Sequence, residues 1–445
     1  MQDNEIYTTG IAPGQQPENG GKKTQDKSGK FFWGGLFTGL IMSLLVVSSV
    51  YVVNRIQYAH ESGQTVGLHT REESQENTDG ESVTGEAVNE DTVAKMKIIE
   101  NVIDTYFYKE DVDKDAMVDG IFKGMVESLG DPYSEYYSKE ELESLYQDSL
   151  GVYYGVGAYV SLDTTTGLAK VSGIIADSPA EEADLRAEDI IYKVDDVDVT
   201  GITLQETVSL IKGDENTTVK LTLIRDGKEI EKEVTRRKVE SPTVKFEMLD
   251  DGMAYIQITE FDTVTVDQFT EAMAMARGND MKGLILDLRS NPGGNLSSVV
   301  SIAKQMLPKG LIVYTEDRDG NREEYSCDGS KELDVPMVVL VNGNSASASE
   351  ILAGAIKDYG IGTLVGTTTF GKGIVQRPIE LSDGSAVKLT ISSYYTPNGI
   401  NIHGIGIEPD VECEFDSERY YSDEAYDNQL EKAKEVLLQK MEGTN

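Results

Sequence analysis

Residues 283–307 read GLILDLRSNPGGNLSSVVSIAKQML, a strand, a glycine turn and an apolar helix in immediate succession. Residues 337–360, MVVLVNGNSASASEILAGAIKDYG, follow the same order. A short apolar run without polar alternation is typical of a strand covered on both faces. The alternation of strand and helix continues on either side of these stretches, in AYIQI, VDQFTEAMAMA and GTLVG. From about Met253 to Glu412 the sequence therefore predicts an α/β core with at least partly parallel strands.

The regions that flank this core have a different character. Residues 150–238 contain short β-rich runs, one amphipathic helix (TLQETVSLIKG) and a hairpin turned by Asp226-Gly227, which together predict a small β module. Residues 91–149 carry apolar side chains at helical spacing and predict a helical N-terminal part. The pattern EAYDNQLEKAKEVLLQKM predicts a C-terminal helix within residues 418–445.

Residues 31–53 form an uncharged apolar run long enough to span the hydrocarbon core of a bilayer, about 30 Å. Only one basic residue, Arg55, follows this run closely. Four lysines precede it: Lys22, Lys23, Lys27 and Lys30. The positive-inside rule predicts a cytoplasmic disordered tail (1–30), one transmembrane helix and an extracytoplasmic remainder, which begins with an acidic linker (54–90). A cleaved signal peptide is the alternative, but the run is long and no A-x-A site follows.

Composition excludes several functions. The formal net charge of −38 repels phosphate, so nucleic acid is not an expected partner. Three histidines leave little for a histidine-based metal site, and we expect no metal and no cofactor. Cys327 and Cys413 do not make a disulfide framework, and the sequence leaves open whether they pair.

Residues 366–373, GTTTFGKG, come close to a phosphate-binding P-loop but have Gly373 where Ser or Thr belongs. A P-loop also needs a helix after it, whereas the β-branched segment that follows predicts a hairpin turned by Asp383-Gly384. The alternative to phosphate binding is that Lys372 takes part in catalysis. Burial that lowers its pKa by about three units, at a cost of roughly 4 kcal/mol, would make it a general base near pH 7. Gln376, four residues on along the predicted strand, would then share its face and hold the amine without adding charge.

Ser347 is the candidate nucleophile, at the predicted junction of strand and helix. Its spacing to Glu350 also fits an ordinary helix-capping box, and a surface lysine in a flexible turn is the corresponding alternative for Lys372. The tight turn Asn291-Pro292-Gly293-Gly294 leaves backbone amides free, as an oxyanion hole requires, although it also fits an ordinary turn.

Four motifs, NGNSASASEILAGA, FGKGIVQ, DLRSNPGGNL and LGDPYSEYYSKEE, together resemble the carboxy-terminal processing proteases, the S41 peptidases with a Ser–Lys dyad. The resemblance covers about residues 92–412. It implies Ser347 as nucleophile, Lys372 as general base and Gln376 as the residue that orients the lysine. It further implies that the backbone amides of Gly293 and Ala348 bind the oxyanion.

The resemblance also implies the fold class and the domain order. We expect an α/β catalytic core of ClpP/crotonase-like βαβ units (239–417), an inserted PDZ domain (150–238), helical N- and C-terminal parts (91–149 and 418–445) and one N-terminal transmembrane helix. In the PDZ domain, the amides near Val156, Gly157 and Ala158 would hold a free peptide C-terminus, and the peptide would add as a strand.

The expected function is that of a membrane-anchored serine endopeptidase, which cuts exported or membrane proteins after PDZ capture of their C-terminal tails. A non-catalytic PDZ scaffold that binds C-termini is the alternative, and a homodimer is plausible from the family. His403 as base and Cys413 as nucleophile are less favoured, because Lys372 already fills the first role and no base accompanies the second.

Overall fold

The computed structural model of the protein describes residues 86–109, 111–163, 166–422 and 426–443. The predicted tail 1–30, the predicted transmembrane helix 31–53 and most of the linker 54–90 lie outside these residues. Within the described ranges, no helix has both the length and the apolar character needed to cross a bilayer. Contacts along the chain separate a unit that ends at Val112 from a second unit that begins at Asp113.

Helix α1 (Glu90–Tyr106) is the regular element described in the first unit. The side chain of Asn89 caps it by accepting a hydrogen bond from the Thr92 N–H at 3.0 Å. Acidic residues at its first two positions, Glu90 and Asp91, favour the positive end of the helix dipole.

The second unit begins with α2 (Lys114–Glu127), the short strand β1 (Glu135–Tyr137) and α3 (Lys139–Leu150). Ser138 and Glu141 form a capping box at the start of α3, and Gly151 ends this helix in the left-handed conformation with φ 68°. Strand β1 does not follow from local periodicity, because three residues are too few to show one.

A β-rich module follows. Its elements are β2 (Val152–Gly155), β3 (Ala158–Leu162), β4 (Ala169–Ile174), α4 (Pro179–Glu182), β5 (Ile190–Val194), β6 (Val197–Asp198), α5 (Leu204–Ile211), β7 (Thr218–Arg225), β8 (Lys228–Thr235) and β9 (Arg237–Glu240). Strands β3, β4, β5, β7 and β8 pair in that order, and β6 pairs with β5. The predicted hairpin joins β7 to β8 through Asp226 and Gly227, both at positive φ as a type I′ turn requires.

Strands β2 and β9 form a separate antiparallel ribbon where the chain enters and leaves this module, with Val152 opposite Glu240 and Gly155 opposite Arg237. The module has its own apolar core, in which Val171, Val219 and Leu223 are fully buried. The module is therefore a separate domain inserted between the N-terminal helices and the α/β core.

The α/β core comprises the remaining elements, many of which surround one central sheet. They are β10 (Val244–Met248), β11 (Met253–Ile258), α6 (Thr265–Gly278), β12 (Gly283–Asp287), α7 (Leu296–Ala303), β13 (Gly310–Asp317), β14 (Arg322–Cys327), β15 (Met337–Val341), α8 (Ala348–Tyr359), β16 (Gly362–Gly366), β17 (Ile374–Glu380), β18 (Ala386–Tyr395), β19 (Val411–Glu412), α9 (Ser417–Tyr420) and α10 (Asn428–Met441). The central sheet has the order β10-β11-β12-β15-β16-β19, and all its neighbours are parallel except β10 and β11. The predicted βαβ alternation is confirmed.

Both faces of the central sheet are covered, which explains the uninterrupted apolar strands β12 and β15. Helices α6, α7 and α8 contribute to the larger core on one face, and α10 packs on the other, where Leu437 meets Ile285 and Val365. The C-terminal helix begins at Asn428, later than the sequence pattern indicates, because the side chain of Asp427 caps it by accepting from the Leu430 N–H.

A second, antiparallel sheet lies beside the central one, with the order β1-β18-β13-β14 and with β17 also paired to β18. Strands β17 and β18 are the hairpin that the sequence predicts after Lys372. Because no helix starts after GTTTFGKG, the phosphate-loop interpretation is wrong.

Candidate active site

Ser347 lies at the junction of β15 and α8, as the sequence predicts. It has φ 53° and ψ −113°, a conformation that residues with a Cβ rarely adopt and that concentrates at functional sites. The neighbouring serines are buried and occupied: Ser345 Oγ donates to the Leu288 carbonyl at 2.8 Å, and Ser349 Oγ donates to the Asn291 carbonyl at 3.0 Å. These two serines hold the junction together, while Ser347 is half-buried.

The turn Asn291-Pro292-Gly293-Gly294 packs directly against this junction. Gly293 has φ 112°, and a Cβ at this position would stand 2.7 Å from Ser347 Cβ and 3.0 Å from the Ala348 nitrogen. Only glycine permits such an approach. The structure therefore brings Gly293, Ser347 and Ala348 together.

The two predicted oxyanion donors differ in their present hydrogen bonding. The Gly293 N–H donates to Asn291 Oδ1 at 2.8 Å, and the fully buried Asn291 in turn donates through Nδ2 to the Ile258 carbonyl. Ala348 is the first residue of α8, where a backbone N–H has no acceptor within the helix. In this arrangement the Gly293 N–H is therefore occupied, whereas the Ala348 N–H has no acceptor within its own helix.

A buried carboxylate joins the serine and lysine loops. Glu350 is fully buried, and its Oε2 accepts hydrogen bonds from the backbone N–H groups of both Ser347 and Lys372, each at 2.9 Å. Its Oε1 accepts from the Thr369 hydroxyl at 2.6 Å and from the Gly371 N–H at 2.7 Å. One carboxylate therefore fixes the backbone of the candidate nucleophile and of the candidate base.

The side chain of Lys372 is half-buried, and Lys372 lies just before β17 of the second sheet. Burial lowers the pKa of its ammonium below the ordinary value, and the positive charge of Lys388 lowers this pKa further. The carboxylates of Asp131 and Glu350 oppose the shift. The net direction is the one that a lysine general base requires.

The amine of Lys372 lies over the ring of Tyr133. Its Nζ lies 4.8 Å from the centroid of the Tyr133 ring, and no hydrogen bond between Lys372 Nζ and Ser347 Oγ is present among the described residues. The amide of Gln376 donates to Thr390 Oγ1 at 3.1 Å rather than to the lysine. The role of Gln376 as the orienting residue stays a prediction.

A β-bulge explains why spacing alone does not settle the position of Gln376. The pairing of β17 with β18 shifts between Val375 and Gln376, so strict alternation of side chains breaks at this point. The rule that residues i and i+4 share a face holds only in a regular strand.

Models of three families match the chain: peptidase family S41 (residues 252–413), the PDZ domain (residues 170–225) and the N-terminal domain of the activating protease CtpB (residues 44–141). Carboxy-terminal processing protease CtpA of Bacillus subtilis is 38% identical over 320 residues, which cover 72% of this chain and 68% of the relative. The carboxyl-terminal-processing protease of Synechocystis sp. is 37% identical over 292 residues, which cover 64% and 68%. The chain belongs to the carboxy-terminal processing proteases of family S41.

Among solved structures, the photosystem II D1 C-terminal processing protease is 33% identical, with 71% of this chain and 86% of that one covered and a TM-score of 0.43. The family models and the curated relatives show a serine-type peptidase of family S41 with a PDZ domain, as the four motifs indicate.

In the PDZ domain of this S41 peptidase, the loop Val156–Ala158 precedes the edge strand β3. Gly157 has φ 81°, and a Cβ there would stand 2.3 Å from Ser178 Cβ, so the loop packs tightly onto the start of α4. The Val156 carbonyl accepts from the Ala180 N–H at 2.7 Å. Among the described strands β3 pairs only with β4, which leaves its other edge open.

Sequence reasoning missed two groups that shape the peptidase site. Glu350 fits the capping box that the spacing indicates, but the pattern does not show that its carboxylate also holds Gly371 and Lys372. Tyr394, almost fully buried on β18, donates its hydroxyl to the Ser347 carbonyl at 3.1 Å. No local signal marks Tyr394, because the contact depends on how the second sheet packs against α8.

The remaining candidates contribute less to the site. His403 is exposed, and its backbone N–H donates to Asn401 Oδ1 at 2.8 Å. Cys327 is buried and Cys413 half-buried, and both are free thiols. Within the described residues, no group of three or more His, Cys, Asp or Glu side chains is arranged to hold a metal ion.

Proposed function

We propose that this chain is a membrane-anchored serine endopeptidase in which Ser347 is the nucleophile and Lys372 the general base. The observation that carries the proposal is the position of Glu350, whose carboxylate accepts from the backbone of both residues. The strained backbone of Ser347 and the lowered pKa of Lys372 support the same roles.

The chemistry follows acyl transfer. Ser347 Oγ attacks the scissile carbonyl carbon while Lys372 Nζ takes the hydroxyl proton, and the same proton then passes to the leaving amine. Water hydrolyses the resulting ester with Lys372 again as base. The Ala348 N–H stabilises the developing oxyanion, and the Gly293 N–H joins it when it releases Asn291.

For this sequence of steps, the amine must exchange its contact with the Tyr133 ring for a hydrogen bond to Ser347 Oγ. The lowered pKa supports this movement, because a neutral amine loses its electrostatic attraction to the ring. Gln376 would then receive the amine, as the family resemblance implies.

We propose that the PDZ domain captures the C-terminal tail of an exported or membrane protein. The open edge of β3, with α5 beside it, supports addition of the peptide as an antiparallel strand. Amides of Val156, Gly157 and Ala158 would bind the terminal carboxylate. Substrates that differ only in a free or an amidated C-terminus test this step: we expect a higher KM for the amidated peptide, and equal KM values would argue against carboxylate capture.

The proposed membrane anchor and cellular location are inferred from residues 31–53 and the lysines before them. We propose a single-pass anchor in the cell membrane with the catalytic part on the extracytoplasmic side. Protease added to intact spheroplasts should cleave the region after residue 54 and spare the tail 1–30, and the reverse pattern would contradict the orientation.

A homodimer through the N-terminal helical part is a further element of the proposal. Helix α2 and the residue after its C-cap expose a set of large apolar side chains: Val118, Ile121, Phe122, Met125 and Leu129. An apolar stripe of this kind favours a protein partner over water. Light scattering on the purified protein tests it, with Met125→Glu expected to favour the monomer.

The central test compares wild type with Ser347→Ala and Lys372→Ala on an unfolded protein substrate. Both variants should lose turnover, and a serine-reactive fluorophosphonate should label wild type at Ser347. Equal turnover in Ser347→Ala, or label at another serine, would refute the assignment and leave a PDZ scaffold that binds C-termini.

A further inference from the structure

A short segment from the N-terminal part of the second unit crosses over the candidate base. Residues 131–134, Asp131-Pro132-Tyr133-Ser134, are here called the strap. Within the strap, Asp131 Oδ1 accepts from the Tyr133 N–H at 3.1 Å and Asp131 Oδ2 accepts from Ser134 Oγ at 2.6 Å. These two bonds fix the backbone of the strap, from which the Tyr133 side chain projects.

The strap is attached to the hairpin that follows Lys372. Strand β1 continues directly from the strap and pairs with β18, with Glu135 opposite Lys388. The Thr390 N–H donates to Ser134 Oγ at 3.1 Å, and Thr390 Oγ1 accepts from Gln376 Nε2 at 3.1 Å. Hydrogen bonds therefore lead from the strap to Gln376, the residue expected to orient the lysine.

The ring of Tyr133 faces the end of Lys372. A separation of 4.8 Å between Nζ and the ring centroid is within the range of a cation–π contact. Such a contact stabilises the ammonium and has no comparable attraction for the neutral amine. In this position the amine makes no hydrogen bond to Ser347 Oγ among the described residues.

We propose that Tyr133 is a positioning residue that holds protonated Lys372 on its ring, without a hydrogen bond to Ser347, and releases the neutral amine for catalysis. The proposal rests on the proposed function of Lys372 as general base. In the resting enzyme, the strap would thus hold the ammonium of Lys372, a role separate from the chemistry of Ser347 and Lys372.

Three charged side chains from different elements act on the amine of Lys372. Lys388 on β18 repels the ammonium, while Asp131 on the strap and Glu350 on α8 attract it. His403 lies close enough to Asp131 to act on its charge, and its backbone packs against Gly373. None of these groups changes when the ring of Tyr133 is replaced, so substitutions of the ring isolate its effect.

The experiment uses three variants: Tyr133→Leu, which keeps apolar cover but has no ring, Tyr133→Phe, which keeps the ring, and Tyr133→Trp, whose larger ring binds cations best. The pH midpoint of Lys372 is measured as the rate of acylation of its amine, read by peptide mass spectrometry, and independently as kcat/KM. Removal of the ring should lower the midpoint by roughly 0.4 to 1.5 pH units, the range to which cation–π energies correspond. Phe should match wild type, and Trp should raise the midpoint.

Equal midpoints in Leu, Phe and wild type, or a rise in Leu, would overturn the proposal. If Leu does not fold, Trp against Phe still decides, because both keep an aromatic ring of different cation affinity. The acylation readout does not depend on proteolysis. Absence of Ser347-dependent turnover in wild type would therefore contradict the proposed function, whereas unchanged acylation midpoints would contradict the role of Tyr133 alone.

Discussion

The carboxylate of Glu350 accepts the backbone N–H of Lys372 at 2.9 Å, across 22 positions in the chain. The same oxygen accepts the N–H of Ser347. The other oxygen accepts from the Thr369 hydroxyl and the Gly371 N–H, so this fully buried carboxylate has four hydrogen-bond donors around it. The contact therefore links the loop of the candidate nucleophile to the loop of the candidate base.

We expect Glu350→Gln to lower kcat about 10- to 100-fold, since one amide oxygen cannot replace a carboxylate whose charge-assisted bonds are each worth roughly 1.5–3 kcal/mol. Loss of the negative charge should also lower the pKa of Lys372, because Glu350 raises it in the wild type. The pH profile of kcat/KM checks this shift. Glu324→Gln on the exposed face of β14 is the control, and equal kcat values in both variants would count against the contact.

Gly293→Ala should remove activity almost completely. The added Cβ would stand 2.7 Å from Ser347 Cβ and 2.9 Å from the Ala346 carbonyl oxygen, neither of which is a flexible chain end. Displacement of the oxyanion site typically costs 10²–10³ in kcat. Gly320→Ala is a matched control, because its φ of 81° is also positive but no atom lies within 4 Å of the added carbon. If both variants retain wild-type kcat, Gly293 does not shape the site.

Tyr394→Phe removes the hydroxyl that donates to the Ser347 carbonyl and keeps the buried ring. A neutral hydrogen bond contributes about 1 kcal/mol, so we expect a loss of kcat of roughly five-fold. Tyr395→Phe, on the adjacent position where the ring stacks on Tyr314, serves for comparison. Equal kcat values in Tyr394→Phe and Tyr395→Phe would show that the Tyr394 hydroxyl does not support the serine.

The central sheet is predictable from the sequence because its strands and helices are each long enough to show a period. Strands β12 and β15 read as apolar runs, and their glycine-rich or serine-rich ends identify the site. The second sheet is less predictable, since β1 has three residues and finds β18 some 250 residues later. Tyr133, Tyr394 and the bulge at Gln376 all belong to this sheet or the strap beside it, and pairing over such distances leaves no local signal.

A buried carboxyl, that of Asp262, follows a residue that is hydrogen-bonded to the turn at Gly293. Asp262 is 5% exposed and its pKa is raised to about 8, first by burial and then by the charges of Glu260 and Asp148. Its neighbour Phe261 donates its N–H to the Gly293 carbonyl at 2.7 Å. Ionisation of Asp262 therefore brings like charges together beside the turn that packs on Ser347.

The sign of the pH effect follows from the two pKa values. The unfolded chain releases this proton near pH 3.8, whereas the folded chain keeps it until about pH 8. The folded state therefore binds more protons between these values, so the contribution of Asp262 to stability falls as pH rises through this window, by up to about 1.4 kcal/mol per pH unit.

Urea unfolding at pH 5 and pH 8 tests this inference. Asp262→Asn should reduce the loss of unfolding free energy between the two pH values, because the amide does not ionise. The exposed Asp319→Asn should keep the wild-type difference. If Asp262→Asn and wild type show the same pH dependence, the Asp262 carboxyl is not the group whose titration lowers the stability.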